Sequence, residues 1–158
     1  MKPTSAEIEA RAPSIAQCRA AAAACVCFNI RRTARLVTHV YDEALAPVNV
    51  SSGQFVILLS MRILEMATMQ QLAEAVALDR SALSRAIRPL VGRDLLQVDV
   101  GADRRRREVR LTTAGLAVLA DGAPHWQRAQ DRLLEGLGEQ GFHGLLHTSI
   151  ESYRQLSA

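Results

Sequence analysis

Residues 71–96 read QLAEAVALDRSALSRAIRPLVGRDLL, and this stretch decides the fold. Apolar side chains recur at Leu72 and Val76, and again at Leu83 and Ile87, at the spacing that places each pair on one face of a helix. Only three residues separate the two helical patterns, so the two helices must cross steeply. The stretch therefore predicts a helix-turn-helix.

The sequence that follows changes from helical spacing to alternation. Apolar residues occupy every second position on both sides of a short segment, residues 101–104, which includes Gly101 and Asp103. Alternation around a short turn is typical of a β-hairpin. A helix-turn-helix followed by a hairpin predicts a mainly α-helical winged helix-turn-helix fold. The alternating residues are Leu96, Val98, Val100, Val109 and Leu111.

Helical patterns also flank this winged core. An apolar stripe over residues 19–45 predicts an N-terminal helix that Pro47 ends. Ser51 and Gln54 have the spacing of a capping box, which predicts the start of a second helix that continues to about Glu65.

On the C-terminal side, Thr112 or Thr113 is expected to cap a long helix in which Pro124 introduces a kink. The glycine-rich residues 136–141 are expected to break this helix, and a last helix follows. The predicted organisation is a flexible tail at 1–16, an N-terminal helix at 17–47, a winged helix-turn-helix domain at 48–112 and C-terminal helices at 113–158.

Composition supports a helical protein and a polyanionic partner. Of the 158 residues, 49% are apolar and only 4% aromatic, with many Ala and Leu, which favours helices over a β-sandwich. Nine of the 19 basic residues fall within residues 79–110, where only five acidic residues occur, so positive charge is concentrated there. We find neither an apolar run long enough to span a bilayer nor a convincing signal peptide. We therefore expect a cytoplasmic protein without a membrane partner, whose three cysteines are kept reduced.

The second helix of the helix-turn-helix carries a polar face opposite its apolar stripe. At 100° per residue, five hydrogen-bonding side chains fall within about 140° of arc. A helix of this width fits the major groove, where Arg and Ser reach base edges or phosphates. These candidate DNA-binding residues are Arg80, Ser81, Ser84, Arg85 and Arg88.

The hairpin tip supplies a second basic element. Four adjacent guanidinium groups repel one another, so a polyanion is the simplest reason for placing them on a narrow projecting loop. A narrow minor groove attracts inserted arginines because its negative potential is enhanced. The candidate residues are Asp103, Arg104, Arg105, Arg106 and Arg107.

Residues 71–96, followed by DRRRREVRLTTAG at 103–115, resemble the multiple-antibiotic-resistance regulator (MarR) family of bacterial winged-helix proteins. The likeness covers roughly residues 25–150. It implies a homodimer that binds double-stranded DNA through the domain at 48–112 and dimerises through the helices at 17–47 and 113–158. Members of the family are often repressors that a small-molecule effector or an oxidant releases. In the Asp-x-Arg wing motif of this family, Asp103 matches the acid that orients the arginine, and Arg105 matches the arginine that enters the groove.

Two positions depart from the family pattern. Ala77 stands where the family often has Gly, so the turn is expected to hold a side chain in left-handed backbone at a cost of about 1 kcal/mol. Pro89 lies inside the second helix of the helix-turn-helix, hereafter the recognition helix. Because proline has no N–H, the hydrogen bond to the Arg85 carbonyl is lost, which predicts a kink.

The three cysteines, Cys18, Cys25 and Cys27, are candidate redox-sensing residues. On one continuous helix, Cys18 and Cys25 would lie about 10.5 Å apart along the axis, and Cys25 and Cys27 would point to opposite sides. Both arrangements exceed the reach of a disulfide bond, so a thiol switch would need an intersubunit bridge, a mixed disulfide or local unwinding. The alternative is that the cysteines are inert, small apolar residues.

Other function classes find less support. The histidines and cysteines lack metal-ligand spacing, although His143 and His147 share a helical face, so we expect neither a metal nor a cofactor. No phosphate-binding Gly loop, metalloprotease motif or nucleophile elbow occurs, so an enzyme is not expected. The alternative to a DNA-binding regulator is a winged-helix protein-interaction module without a DNA target.

Overall fold

A computed structural model describes residues 3–100 and 107–157 of the chain. The chain divides into two compact units, Met1–Val37 and Thr38–Ala158. Within the described residues, the chain forms seven α-helices, one short 3-10 helix and three β-strands.

The N-terminal unit is helical. Helix α1 spans Ser5–Arg11, in the segment for which the sequence shows no periodicity, and a capping box between Thr4 and Glu7 starts it. Helix α2 spans Ile15–Ala24, and α3 begins at Val26 and continues into the second unit.

The single helix predicted over residues 19–45 is therefore two helices. Cys25 separates them in extended backbone, with φ −77° and ψ 109°. Its sulfur accepts a 3.4 Å hydrogen bond from the amide N–H of Phe28, and the side-chain amide of Asn29 donates to the carbonyl oxygens of Ala22, Ala23 and Cys25. These bonds satisfy polar groups that a helix end leaves free, which accounts for the break.

The second unit begins within α3 and contains the predicted winged helix-turn-helix. Its helices and strands follow the predicted order, with the 3-10 turn Ala46–Val48 after α3 and strand β1 as additions. They are α3 (Val26–Leu45), α4 (Ser52–Leu64), β1 (Met66–Thr68), α5 (Met69–Ala75), α6 (Arg80–Gly92), β2 (Leu96–Val100), β3 (Arg107–Leu111) and α7 (Thr113–Leu156).

Local signals in the sequence set the helix starts. Ser51 caps α4, and Gln54 completes the predicted capping box. Thr68 caps α5 in the same way, with Gln71 three residues later. Thr112 caps α7 by accepting a 3.0 Å hydrogen bond from the Gly115 amide. The predicted break after Gly136 is confirmed at Gly138, where φ is 68° and ψ is 164°. Helix α7 continues through Pro124.

The turn between α5 and α6 has the left-handed residue that the sequence predicts. Ala77 has φ 54°, and the amide of Leu78 donates to the carbonyl of Ala73, which is a Schellman arrangement. The same geometry ends α6, where Asp94 has φ 55° and the Leu95 amide donates to the carbonyl of Leu90. An L-residue in this conformation strains the backbone at both turns.

The sheet has three antiparallel strands in the order β1-β3-β2. Strands β2 and β3 form the predicted hairpin, with Leu96 opposite Leu111 and Val98 opposite Val109. Strand β1, which the sequence did not predict, pairs Ala67 with Val109 on the other side of β3. The wing is thereby held to the chain between α4 and α5.

The core of the second unit lies between α4, α5, α6, the sheet and the start of α7. Its largest fully buried side chains include Leu58, Met61, Leu72, Leu83 and Leu90. Leu72, Leu83 and Leu90 come from the stretch that decides the fold, and Leu58 and Met61 come from α4. Together they fix the orientation of α6, because burial of each large apolar side chain stabilises the fold by about 1.5–3 kcal/mol.

No single helix in the described residues has the length and apolar character needed to cross a bilayer. One bent pair of helices, Val26–Val48 with Ser52–Leu64, meets the length and composition that a membrane span requires, and only those two criteria. The second helix of that pair buries Phe55, Ile57, Leu58 and Met61 in the protein core.

Candidate nucleic-acid interface

Helix α6 presents the polar face that its sequence predicts. Leu83, Ile87 and Leu90 are buried, whereas every candidate side chain on the helix is exposed. The exposed residues are Arg80, Ser81, Ser84, Arg85 and Arg88. Helix α6 continues through Pro89 to Gly92, so the helix does not end at the proline.

A chain of side-chain hydrogen bonds organises the first two turns of α6. Asp79 caps the helix by accepting a 2.8 Å bond from the Ala82 amide, and Ser81 Oγ donates to its carboxylate at 2.7 Å. Arg85 Nη1 donates to Ser81 Oγ at 3.5 Å. The bonds from Ala82 and Ser81, with a smaller effect of the Arg85 charge, lower the pKa of Asp79. The capping carboxylate thus restricts Ser81 and, through it, Arg85.

The wing contributes Arg107, the first residue of β3, which pairs with Val100 and is exposed. The other four candidate wing residues, Asp103 and Arg104 to Arg106, lie outside the described residues. Arg110, also on β3, is exposed and forms a 3.7 Å ion pair with Glu108.

Helix α6 and the wing meet at one open cleft of about 600 Å³. Arg80 from the first turn of α6 and Arg107 from β3 both line it. The sequence predicts these two arginines in separate elements, and the structure brings them together.

The cleft also contains residues that the sequence analysis did not select. Thr68, Gln70 and Gln71 line it from the junction of β1 and α5, and Met69, Ala73 and Leu78 add apolar surface. Glu74 is the acidic residue of the lining, and its carboxylate accepts a 3.0 Å bond from Gln70. In the sequence, Thr68, Gln70 and Gln71 indicate only a helix start. Their place in the cleft depends on the pairing of β1 with β3, which brings these side chains near the wing.

Tertiary contacts hold the C-terminal end of α6. Arg93 donates to the backbone carbonyl of Asn49, and Thr112 Oγ1 donates to the carbonyl of Asp94 at 2.6 Å. Gly115 is buried so close to the Leu95 carbonyl that a Cβ there would overlap it. The end of α6 is therefore fixed against both the start of α7 and the loop before α4.

The three cysteines are exposed thiols. Cys18 lies on α2, Cys25 lies between α2 and α3, and Cys27 lies in the first turn of α3. The prediction of one continuous helix, from which we derived the distance between Cys18 and Cys25, is wrong. Helix α2 ends at Ala24, and Cys25 lies in extended backbone. Within the described residues, no three His, Cys, Asp or Glu side chains are placed to hold a metal ion.

No protein-family sequence model matches the chain, and no curated protein matches it. Solved structures do match. The MosR transcriptional regulator of M. tuberculosis in complex with DNA is 28% identical, with a TM-score of 0.74 over 84% of this chain and 96% of MosR. The transcriptional repressor CouR bound to a 23-mer DNA duplex is 25% identical, with a TM-score of 0.75 over 83% of this chain and 94% of CouR.

The E. coli MarR protein itself, as a mutant complexed with operator DNA, matches with a TM-score of 0.71 and 23% identity over 78% of this chain and 89% of MarR. These matched proteins are regulators rather than enzymes, which agrees with the expectation from the sequence. The chain has the winged helix-turn-helix fold of the MarR-family transcriptional regulators, and the resemblance to that family in its sequence is confirmed.

Proposed function

We propose that this protein is a DNA-binding transcriptional regulator. The observation that carries the proposal is the convergence of Arg80 from α6 and Arg107 from the wing on one open cleft beside an exposed helix face. A helix in the major groove and a wing beside it require basic side chains from both elements on the same side of the domain. The DNA complexes of MosR and CouR support this reading.

The two elements have different roles in this proposal. Side chains of α6 contact bases in the major groove, where Arg85 and Ser84 lie near the centre of the exposed arc. Arg105 of the wing enters a flanking minor groove, and Asp103 orients it. Residues of the cleft, including Thr68 and Gln70, contact the phosphate backbone, which positions the protein without reading sequence.

The protein acts as a homodimer in this proposal, with 48–112 binding DNA and the helices of 17–47 and 113–158 forming the dimer. Apolar residues after the break in α7 support the dimer, because they lie exposed in a single chain. These exposed residues are Leu145, Leu146, Ile150, Tyr153 and Leu156. A symmetric dimer favours an inverted-repeat operator with half-sites about 10 base pairs apart.

Repression with release by a small ligand or an oxidant is the finer part of the proposal. CouR is described as a repressor, which supports the first half. The exposure of Cys18, Cys25 and Cys27 supports the second, because an oxidant reaches exposed thiols directly. Each cysteine is replaced with Ser, and the release of DNA on addition of peroxide is measured. This experiment distinguishes an oxidant from a small ligand as the trigger of release. Release that survives all three substitutions excludes the thiols as the trigger.

Selection of bound fragments from genomic DNA with the purified protein tests the function. We expect enrichment of fragments that share an inverted repeat and that compete with one another for binding. A protein-interaction module without a DNA target enriches no common sequence. Sedimentation at micromolar concentration tests the dimer, and a stable folded monomer would contradict it.

A further inference from the structure

The N-terminal part of the chain carries a second concentration of positive charge, separate from α6 and the wing. Residues 10–41 contain five arginines and no acidic residue. Three of the five, Arg31, Arg32 and Arg35, fall within the first ten residues of α3, and all three are exposed. This cluster, hereafter the α3 arginine face, has no part in the proposed contacts of the winged domain.

The three arginines lie on one side of the helix. At 100° per residue they span about 100° of arc, and this arc is opposite the apolar stripe that contains Val26, Ile30 and Val37. A dimer that covers the apolar stripe therefore leaves the arginines facing outward. The chain presents them on a regular helix, so their spacing is fixed.

Like charges at this spacing destabilise an isolated helix. Arg31 and Arg35 are four residues apart and face each other along α3, where two positive side chains repel. Arg32 lies over the ring of Phe28, with 5.5 Å between the guanidinium carbon and the ring centroid, and this contact orients it along the helix. The described structure contains no ion pair between these three arginines and an acidic side chain. The face thus gains most from a partner that supplies regularly spaced negative charge.

We propose that the α3 arginine face is a second, sequence-independent contact surface for the phosphate backbone of duplex DNA. The inference rests on the proposed DNA-binding function, and it extends the DNA contact beyond α6 and the wing. DNA is favoured over an anionic membrane because membrane binding needs an exposed apolar face, and the proposed dimer covers the apolar stripe of α3. Phe28 and Leu36 are the large apolar residues that flank the arginines on the helix wheel, and Phe28 packs against Arg32. Guanidinium groups on a rigid scaffold pair well with phosphate oxygens.

The salt dependence of DNA binding tests the proposal, because each phosphate neutralised by the protein steepens it. The test variant combines Arg31→Gln, Arg32→Gln and Arg35→Gln, and the probe is a selected operator fragment with about 20 base pairs of random flanking DNA on each side. We expect the slope of log affinity against log salt to become shallower by about 2 to 5 for the dimer, since each contact contributes about 0.9. The preference for operator over random duplex remains unchanged.

Two matched variants make the result specific. The control Arg11→Gln, Arg62→Gln, Arg128→Gln removes as much charge from exposed positions of α1, α4 and α7, and its slope stays near that of the unmodified protein. The variant with Lys at 31, 32 and 35 keeps the charge and retains most of the slope. A loss of slope with Lys equal to that with Gln indicates altered packing and overturns the proposal, as does an equal loss in the control.

The remaining outcomes separate this inference from the proposed function. Specific operator binding with an unchanged slope in the Gln variant overturns the arginine face alone. Vesicles of phosphatidylglycerol supply the membrane arm, and loss of vesicle binding without a change on DNA assigns the face to a membrane and overturns the proposal. Absence of any salt-dependent DNA binding by the unmodified protein overturns both.

Discussion

Thr112 Oγ1 donates a 2.6 Å hydrogen bond to the backbone carbonyl oxygen of Asp94, and Thr112 Oγ1 also accepts a 3.0 Å bond from the Gly115 amide. One hydroxyl group thus links the end of the recognition helix to the start of α7. The backbone repeats the link, because the Thr112 amide donates to the Leu95 carbonyl at 3.2 Å.

Replacement of Thr112 is therefore expected to destabilise the winged domain. Thr112→Val removes a helix cap and leaves the Asp94 carbonyl without this donor, so the free energy of unfolding falls by about 1–2 kcal/mol. Chemical denaturation measures the change. Thr113→Val, one residue further in the same helix and exposed, is the control and changes stability by less than about 0.5 kcal/mol. Equal effects at both positions would show that the hydroxyl link contributes nothing.

The left-handed turn at Ala77 predicts a stabilising substitution. Ala77 has φ 54°, a conformation that Gly adopts without strain, so Ala77→Gly is expected to raise the unfolding free energy by about 1 kcal/mol. The matched control is Ala75→Gly in the last turn of α5, where the backbone is helical and Gly lowers stability. Thermal unfolding of the two variants decides the matter, and a loss of stability at Ala77 contradicts the described turn.

The cap of α6 predicts a dependence on pH. Hydrogen bonds from Ala82 and Ser81 lower the pKa of Asp79 from its ordinary value of 3.8, so folding favours the charged carboxylate. Its contribution to stability is present above the pKa of the unfolded chain and is lost as pH falls through the lower pKa of the folded state. The stability difference between the unmodified protein and Asp79→Ala should therefore narrow below about pH 4. A difference that stays constant from pH 7 to pH 3 contradicts the charged cap.

The recognition helix predicts an effect on specificity as well as affinity. Arg85→Ala should weaken binding to the best site by about 1–3 kcal/mol and relax discrimination at one base pair if Arg85 reads a base edge. Binding to operators with single substitutions, measured by anisotropy, identifies that base pair. Equal weakening on every sequence makes Arg85 a phosphate contact instead.

The wing predicts that its arginines are unequal, as the family resemblance implies. Arg105→Ala and Asp103→Ala should both weaken DNA binding, and Arg107→Ala should have a milder effect. Removal of the acid makes the wing more positive, so weaker binding by Asp103→Ala distinguishes orientation of Arg105 from net charge. Tighter binding by Asp103→Ala, with interchangeable arginines, would make the wing a diffuse positive charge.

Local signals in the sequence predicted most of the winged domain. Capping pairs such as Thr68 with Gln71 lie three residues apart, and apolar spacing reports directly which face of α6 is buried. Strand β1 was not predicted because three residues carry too little alternation, and its pairing with β3 joins Met66 to Arg110 across a long stretch of chain.

The sequence predicted which residues belong to the candidate site but not how the fold brings them together. The sequence identified the exposed arginines of α6, whereas the cleft that unites Arg80 with Arg107 depends on the β1–β3 pairing. The break at Cys25 was not predicted because no Gly or Pro marks it. Only the hydrogen bonds of Asn29 and Phe28 show how the backbone groups at the ends of α2 and α3 are satisfied.

Titration of the unmodified protein onto a selected operator duplex and onto a shuffled duplex of equal length, at several salt concentrations, tests the central claim most directly. We predict that the operator binds at least about 10³-fold more tightly than the shuffled duplex and that both affinities fall steeply with salt. Equal affinity for the two duplexes, or binding that salt leaves unchanged, would contradict the proposal that α6 and the wing form a sequence-reading DNA surface.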